Sequence, residues 1–532
     1  MIHQRIRSSN VNSPSQWAFR LLLCLAITPG CASYERYCPV VISPSAVEHQ
    51  LSSVPERVES IQPCAHHASV FAEVGGFSLA DGVTPDEAAF IAVMSNPSLR
   101  TLRDDRGIAR SQIIEAGILP NPQFAYSSDS PSFGNTAGAR TADSESLSWD
   151  VSKLNPRASR IRSASLSADA VNLDIARQEW LIAQQARQAV YDLVALRQQI
   201  DKLQQAENVL DQNLKLVEKA EQEGNLTLVE LSAATSASAL LRTTVLATVQ
   251  LERDQQLQLK RVLGLPADVP LDLHPGITLP IDGEPPEDYE LFSLLDYRFD
   301  LQAQRRAFDA QDQAYRAAVE AQVPATVVSV ARARDTGNVG TWGAGVAVDI
   351  PLFDRNQGNV ALQRATRDKI YDQYVQSVFE ARSDVSIAVT RLRVLEQQID
   401  ATQLSVQSQN QLVESYEKLV EEGSGNVLLY YQAFNDLAQS RVQLIQLQRD
   451  FIDAWITLEN AVGDHIPMTR TEPAEAITPL EEALQLEMPS VPSSADDQTP
   501  ETNKAPMDNS DASNGVSASL LSLERSSLEV PR

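Results

Sequence analysis

Residues 157–224 read RASRIRSASLSADAVNLDIARQEWLIAQQARQAVYDLVALRQQIDKLQQAENVLDQNLKLVEKAEQEG. No proline interrupts this run or its continuation to Leu265, and the only glycines there are Gly224 and Gly264. Ala, Gln, Leu, Glu and Arg dominate the run, and all five favour helix. A continuous helix from Arg157 to Glu223 would be roughly 100 Å long at about 1.5 Å per residue, far longer than an ordinary globular helix.

The same pattern returns 199 positions later in the chain. The matched pairs include Asp150 and Asp349, Glu223 and Glu422, Gly224 and Gly423, Arg242 and Arg441, Asp254 and Asp453, and Gly264 and Gly463. A constant offset over more than a hundred residues indicates two copies of one long unit. We therefore expect an internal twofold repeat.

Each copy is predicted to form a long antiparallel helical hairpin. Apolar residues of the first outgoing helix step by three and four, which is typical of coiled-coil packing. This seam consists of Leu193, Leu196, Ile200, Leu203, Leu210, Leu214 and Val217. Gly224 ends that helix, and a return helix follows over about residues 227–263. In the second copy the two helices are predicted at about 359–421 and 427–462, with a glycine-rich turn between them.

The residues just before each long helix alternate between apolar and polar, which predicts strands with two different faces. The apolar positions are Leu147, Trp149 and Val151 in the first copy, and Trp342, Ala344, Val346, Val348 and Ile350 in the second. Asp150 and Asp349 fall on the opposite, polar face. Partner strands precede these, at about 123–127 and 325–334, although the sequence does not settle how the latter faces. A shorter helix precedes each strand pair, at about 85–119 and 291–320.

Two interpretations of the four strands remain open, namely an ordinary small sheet and a transmembrane barrel. A strand of about ten residues suits a tilted membrane crossing. Strands in lipid cannot leave open edges, and four strands cannot close a barrel alone, so several copies would have to pool them. Two copies would give a filled eight-stranded barrel and three a wider, water-filled one, which small polar inward residues favour. In a barrel, Leu147, Trp149, Val151, Trp342, Val346 and Val348 would face lipid, and Asp150 and Asp349 the lumen.

The remaining segments are predicted from composition. Residues 1–30 form a signal peptide whose end resembles a lipobox before Cys31, so lipidation at Cys31 and cleavage by an ordinary signal peptidase are the two alternatives. Residues 31–83 form a leader, in which Cys38 and Cys64 could pair as a disulfide. The first repeat then spans 84–265, a proline-rich connector 266–287, the second repeat 288–466, and a disordered acidic tail 467–532.

Several classes of function are disfavoured. A net charge of −26 argues against a nucleic-acid partner. The sequence lacks a nucleophile elbow, a phosphate-binding loop and a metal-binding histidine pair, so we predict no enzyme activity, no cofactor and no metal site.

Over roughly residues 84–465, the chain resembles the TolC-like outer-membrane efflux proteins. The order of helix, strand pair, long helix, glycine tip and return helix, given twice, carries this resemblance. The local matches include MSNPSLRTLR, AGILPNPQFAY, FDLQAQRRAFDAQ and VDIPLFDRNQGNVALQRA. Residues 351–358, PLFDRNQG, and 119–122, LPNP, resemble most the heavy-metal Czc-type branch.

The resemblance implies a mainly helical fold in which the hairpins form an α-barrel and each protomer adds four strands to a transmembrane β-barrel. It implies a homotrimer in the outer membrane of a Gram-negative-type bacterium, in contact with outer-membrane lipid and extending into the periplasm. It also implies two partners, a periplasmic adaptor and an inner-membrane pump of the resistance-nodulation-division type. The chain would then be a passive gated duct, for metal ions or small toxic compounds.

The resemblance places adaptor docking at the hairpin tips, with Glu223, Gly224, Glu230, Glu421, Glu422, Gly423 and Gly425 as candidates. Glu230 alone occupies a position where the family has an acidic residue. The residues that close the tip in well-studied members are missing from 425–432, so Glu223, Glu421 and Glu422 are candidates for a substitute acidic ring. Two alternatives to an efflux duct are a non-pore coiled-coil periplasmic lipoprotein and the exit duct of a type I secretion system.

Overall fold

The computed structural model describes residues 38–39, 42–53, 82–134, 137–281, 288–422 and 425–466. The predicted signal peptide, the lipid anchor at Cys31, most of the leader, Gly423 and the acidic tail lie outside these residues. Cys38 is exposed, but Cys64 lies outside the described residues, so their pairing stays a prediction. The boundaries of the predicted segments likewise stay predictions.

The described elements follow the predicted order. The first half contains α1 (Pro44–Ser52), α2 (Pro85–Ser95), α3 (Pro97–Gly117), β1 (Gln123–Asp129), β2 (Ala142–Asp150), α4 (Arg157–Gln222) and α5 (Leu228–Leu263). The second half contains α6 (Asp288–Leu294), α7 (Phe299–Glu320), β3 (Thr326–Arg334), β4 (Gly340–Val348), α8 (Gln357–Glu421) and α9 (Val427–Val462). One-turn 3₁₀ helices lie at Ser152–Leu154 and Leu295–Tyr297. None of the described helices is both long enough and apolar enough to cross a membrane.

The internal twofold repeat is confirmed by the long helices. The outgoing helices α4 and α8 contain 66 and 65 residues, and the return helices α5 and α9 contain 36 each. Both return helices end on a glycine in the left-handed region, with φ of 71° at Gly264 and 83° at Gly463. A Cβ at either position would also collide with a neighbouring segment, so both positions require glycine.

The helix before each strand pair is broken into two helices. The Asn96 side chain caps the new helix α3 by accepting from Ser98 N at 2.9 Å, and Pro97 occupies its first turn. In the second half the break comes at Arg298, which has an extended backbone between the 3₁₀ turn and α7.

The four strands form one antiparallel sheet in the order β1-β2-β3-β4. Pairing of β2 with β3 joins the strand pairs of the two repeat copies. The register also decides the facing of β3, because Val328 lies directly opposite both Trp149 and Val346. Residues opposite each other share a face, so Val328 belongs to the apolar face.

The hairpins are held by apolar clusters along their seams. Near the tips, Leu203, Leu210, Leu241 and Leu437 lie in one cluster that draws on all four long helices. Where the hairpins meet the shorter helices, Leu193, Leu259 and Leu263 pack with connector residues, and a second cluster surrounds the fully buried Trp455. The connector therefore forms part of the core, because Leu271 and Leu273 are buried and Val83 N donates to Asp272 O at 2.9 Å.

Candidate functional site: the strand sheet and the hairpin tips

The sheet has one apolar face. Cross-strand partners Phe124, Leu147, Val330 and Ala344 form one row of it, and Trp149, Val328 and Val346 form the next. Every large apolar strand residue that is strongly exposed lies on this face; these residues are Phe124, Tyr126, Leu147, Val328, Val330, Trp342, Val346 and Val348. The predicted lipid-facing residues of the two copies thus share one continuous surface.

Val151 was predicted to lie in the strand, but it follows the last residue of β2, and its lipid-facing assignment stays a prediction. Its backbone is helical, with φ −84° and ψ −15°, so it does not extend the strand. The cause is Asp150, whose carboxylate accepts from Ser152 N at 3.1 Å and Ser152 Oγ at 2.6 Å and starts the 3₁₀ turn. Trp149 ends the apolar alternation, and its Nε1 donates to Pro120 O at 2.7 Å.

The opposite face of the sheet, called here the small-residue face, carries mostly Ser, Ala, Gly and Thr. It consists of residues 123, 125, 127, 129, 142, 144, 146, 148, 150, 327, 329, 331, 333, 341, 343, 345 and 347. Within the four strands, its only charged residues are Asp129 and Asp150, whereas Asp143, Glu145, Arg332 and Arg334 lie on the apolar face. This surface is therefore small, polar and acidic.

The two predicted lumen aspartates differ in their surroundings. Asp150 is partly buried and also contacts Lys153 Nζ at 3.4 Å. Asp349 follows the last residue of β4 and is exposed, and its backbone N donates to Ala325 O at 2.9 Å. Asp349 has no ion-pair partner among the described residues, so it is the freer charge of the two.

The first hairpin tip is a tight glycine turn. Gly224 has φ of 79°, a conformation that strongly favours glycine, and its N donates to Glu221 O at 2.8 Å. Glu223 is exposed beside it, 3.9 Å from Lys219 and within 3.3 Å of Asn225 Nδ2. Glu223 therefore places one carboxylate at the surface beside this turn, and its predicted part in an acidic ring stays a prediction.

The second tip is described in part. Glu422 is exposed and ends α8, whereas the side chain of Glu421 and the whole of Gly423 lie outside the described atoms. Gly425 N donates to Leu419 O at 2.7 Å, and a Cβ on Gly425 would lie 2.6 Å from Val420 N. This close approach of two backbone segments requires glycine at 425.

Glu230 belongs to a capping box at the start of α5. Its Oε2 accepts from Thr227 N at 2.7 Å and Thr227 Oγ1 at 2.8 Å, and these bonds lower the pKa of the Glu230 carboxyl. Glu230 N in turn bonds to Thr227 Oγ1. The acid that the family resemblance singled out thus serves the local helix start.

Sequence reasoning missed a charged layer between α4, α5 and α9. Arg449 Nε lies 2.5 Å from Asp192 Oδ1, and its Nη2 lies 3.3 Å from Asp453 Oδ2. Gln255 of α5 donates to Asp192 at 3.0 Å. Burial, with the nearby Asp192 charge, raises the pKa of Asp453 to about 6. No local spacing could have indicated this layer, because 257 residues separate Asp192 from Arg449.

Comparisons with known proteins bear on this arrangement. Residues 292–464 match the family of outer membrane efflux proteins. The outer membrane protein VceC from Vibrio cholerae has the same fold, with a TM-score of 0.61 and 19% identity over 72% of this chain and 97% of VceC. The Campylobacter jejuni CmeC outer membrane channel matches with a TM-score of 0.62 and 14% identity, over 73% of this chain and 88% of CmeC.

CusC, a protein that forms a transmembrane channel, gives a TM-score of 0.60 and 18% identity over 74% of this chain and 96% of CusC. Comparison with curated protein sequences returned no match. The fold is that of outer-membrane channels in which helical hairpins extend a strand barrel. The family match covers residues 292–464, and the fold match covers most of the chain, so this chain shares the fold of outer-membrane efflux channels.

Proposed function

We propose that three copies of this chain form a passive, gated duct for metal ions or small toxic compounds, fed by a periplasmic adaptor and a pump of the resistance-nodulation-division type. The observation that carries this proposal is the small-residue face of the sheet. Three sheets give twelve strands, and a barrel of that size leaves a wet interior when its inner side chains are small. Asp129 and Asp150 on that face, with Asp349 beside it, favour cations.

The first experiment is single-channel conductance in a planar bilayer, with the native mass measured in mild detergent on the same preparation. A trimeric mass with a conducting, cation-selective pore would support the duct. A monomer without conductance would instead support a non-pore periplasmic lipoprotein. Asp349→Asn is the informative variant, because its exposed carboxylate makes no side-chain hydrogen bond or ion pair with the described residues.

The proposed cargo rests on the resemblance of residues 351–358 and 119–122 to the heavy-metal branch. It is tested in the native host by deleting the gene and challenging the cells with zinc, cobalt and cadmium salts and, separately, with detergents and dyes. Sensitivity to the metals alone would support metal efflux, and sensitivity to the organic compounds alone would favour a drug pump. Loss of a secreted protein without either sensitivity would favour the type I secretion alternative.

We further propose that the tips are the adaptor-docking surface. Glu223 and Glu422 are exposed beside the two turns, where rigid glycine geometry presents them outside the hairpin seams. A photo-crosslinking residue at 223 or 422 should capture the adaptor in cells. The same residue at Asp335, in the loop at the opposite end of the sheet, should not capture it and serves as the control.

A further inference from the structure

The apolar face of the sheet is too short to match a bilayer alone. Its outer limit is the row in which Glu145 lies opposite Arg332, which in turn lies opposite Trp342. From Trp342 to Val348, the last residue of β4, the strand covers about 20 Å at about 3.4 Å per residue. A tilt of about 40° reduces this to roughly 16 Å, whereas outer-membrane barrels present an apolar band of about 25 Å.

Apolar side chains continue beyond β4, in the loop at the helical end of the sheet. The exposed fractions are 77% for Ile350, 67% for Leu352 and 91% for Phe353. Neighbouring loops at the same end add Ile118, Leu119 and Val323, each more than half exposed. Large apolar side chains grouped in this way mark an interaction surface, and no described part of the chain covers them.

Hydrogen bonds fix the conformation of the loop at residues 350–356. Leu352 N donates to Ile350 O at 2.9 Å, and Arg355 Nε donates to Pro351 O at 3.2 Å. Asn356, in the left-handed region with φ of 60°, donates from its Nδ2 to Ala318 O at 2.8 Å and starts α8. The exposure of residues 350–353 is therefore built into the turn between strand and helix.

We propose that residues 350–353 enter the inner phospholipid leaflet and complete the lower part of the lipid-contacting band. Ile350 continues the alternation of Val346 and Val348, so the loop is continuous with the apolar face. The charged residues Asp354 and Arg355 follow directly, as expected where a chain leaves the hydrocarbon for the headgroups. The occupant is phospholipid, and the inference rests on the proposed function, because it requires the apolar face of the sheet to lie in lipid.

The test measures depth in the membrane. Phe353→Cys, Val346→Cys and Asp335→Cys are each made in a Cys38→Ser, Cys64→Ser background, labelled with bimane and reconstituted into phosphatidylethanolamine–phosphatidylglycerol vesicles; the background without an added cysteine is the blank for any label on Cys31. The lipids carry a nitroxide either near the headgroup or near mid-chain. We expect the label at 353 to lose fluorescence mainly to the headgroup nitroxide and the label at 346 to the mid-chain one. The label at 335 should respond to neither and only to aqueous iodide.

The controls separate the two ways of failing. Loss of quenching at 346 as well as 353 would overturn the proposed barrel and this inference with it. Quenching at 346, with iodide access and no lipid quenching at 353, would overturn this inference alone. Protection of 353 from both lipid and iodide would show that a second copy of the chain covers the loop, and would likewise overturn it. If Phe353→Cys fails to form trimers, Leu352→Cys replaces it.

Discussion

Lys260 and Glu459 occupy equivalent positions of the two repeat copies, 199 residues apart, and each bonds to the backbone seven residues further along its own copy. Lys260 Nζ donates to Ala267 O at 2.9 Å, and Glu459 Oε1 accepts from Ile466 N at 3.1 Å. Both residues are buried, with 8% and 0% exposure. Both copies therefore bond the end of the return helix to the segment that follows it. The side chain that makes this bond is positively charged in the first copy and negatively charged in the second.

Removing the Glu459 side chain should lower the free energy of unfolding more than removing the Lys260 side chain. Glu459 also accepts from Gln184 at 2.8 Å and Arg187 at 3.1 Å, and its Oε1 lies 2.6 Å from His465 Nδ1. Glu459→Ala should therefore lower the stability by about 3–5 kcal/mol, because it leaves buried polar partners unpaired. Lys260→Ala should cost about 1–2 kcal/mol, the scale of one lost bond. Urea unfolding measures both, and equal costs would contradict the role given to the Glu459 network.

A second pair of bonds closes the ends of the return helices, at acceptors that are equivalent in the two copies, Val262 and Ala461. Asn96 Nδ2 donates to Val262 O at 2.8 Å, and Arg298 Nη1 donates to Ala461 O at 2.7 Å. Arg298 is also paired with Asp300 at 2.6 Å. We expect Arg298→Ala to lower the free energy of unfolding by about 2–4 kcal/mol, and Asn96→Ala by about 1–2 kcal/mol. The difference arises because only Arg298→Ala also leaves a carboxylate, that of Asp300, without its partner.

The measurement for this pair is the thermal midpoint of the purified protein. Arg316→Ala is the matched control, since its side chain is 57% exposed and pairs with Glu320 within the same helix. That variant should change the midpoint little. A similar loss for Arg316→Ala and Arg298→Ala would argue against a specific closing role for Arg298.

Asp453 predicts a pH-dependent stability. Its pKa is raised to about 6 from an ordinary 3.8, so the folded state binds a proton more tightly than the unfolded state. The stabilisation from this proton is present at low pH and is lost as the pH rises through about 6. Asp453→Asn should therefore be more stable than the native protein at pH 7.5, by an amount on the order of 1 kcal/mol. At pH 5 this advantage should shrink.

The repeat supplies a control for the pH experiment. Asp254 is the equivalent residue of the first copy and is exposed on α5. The thermal midpoint of Asp254→Asn should differ from that of the native protein by the same small amount at both pH values. If the difference in thermal midpoint between Asp453→Asn and the native protein is the same at pH 7.5 and pH 5, burial does not raise the pKa of the Asp453 carboxyl.

Glu230 can be tested by separating its charge from its capping bonds. Glu230→Gln keeps a side chain that can complete the capping box, whereas Glu230→Ala removes it. We expect Glu230→Ala to cost about 0.5–1 kcal/mol at the start of α5 and to speed amide exchange there. Glu230→Gln should change exchange and adaptor crosslinking little. Loss of crosslinking in the Gln variant would instead assign the charge a direct part in docking.

The acidic residues of the small-residue face predict ion selectivity. Asp349→Asn should reduce the cation preference of the pore, measured as the reversal potential across a salt gradient. Asp150→Asn should have a smaller electrical effect and a larger structural one, because that carboxylate holds the turn at Ser152. Asp254→Asn, exposed on the return helix α5, is the control, and an unchanged reversal potential in Asp349→Asn would refute the lumen assignment.

Much of the fold was predictable, because the constant offset between Gly264 and Gly463 aligns two helical hairpins and their ends. The facing of β3 was not, because Val327, Val328 and Val330 place valine on both faces, and only pairing with β2 decides between them. The break at Arg298 was missed because its cause, the bond to Ala461, joins residues 163 positions apart. The capping role of Glu230 was missed as well, because the spacing of residues in the sequence does not show which way its side chain turns.

The strand order leaves β1 and β4 each with one row of backbone N–H and C=O groups unpaired within the chain. Each such group costs several kcal/mol in hydrocarbon, so a single chain cannot enter the membrane in this form. Before assembly these same edges are sites for wrong pairing between chains. In the proposed duct, membrane insertion must therefore be coupled to the assembly of protomers, and its rate should rise steeply with the concentration of newly made chains.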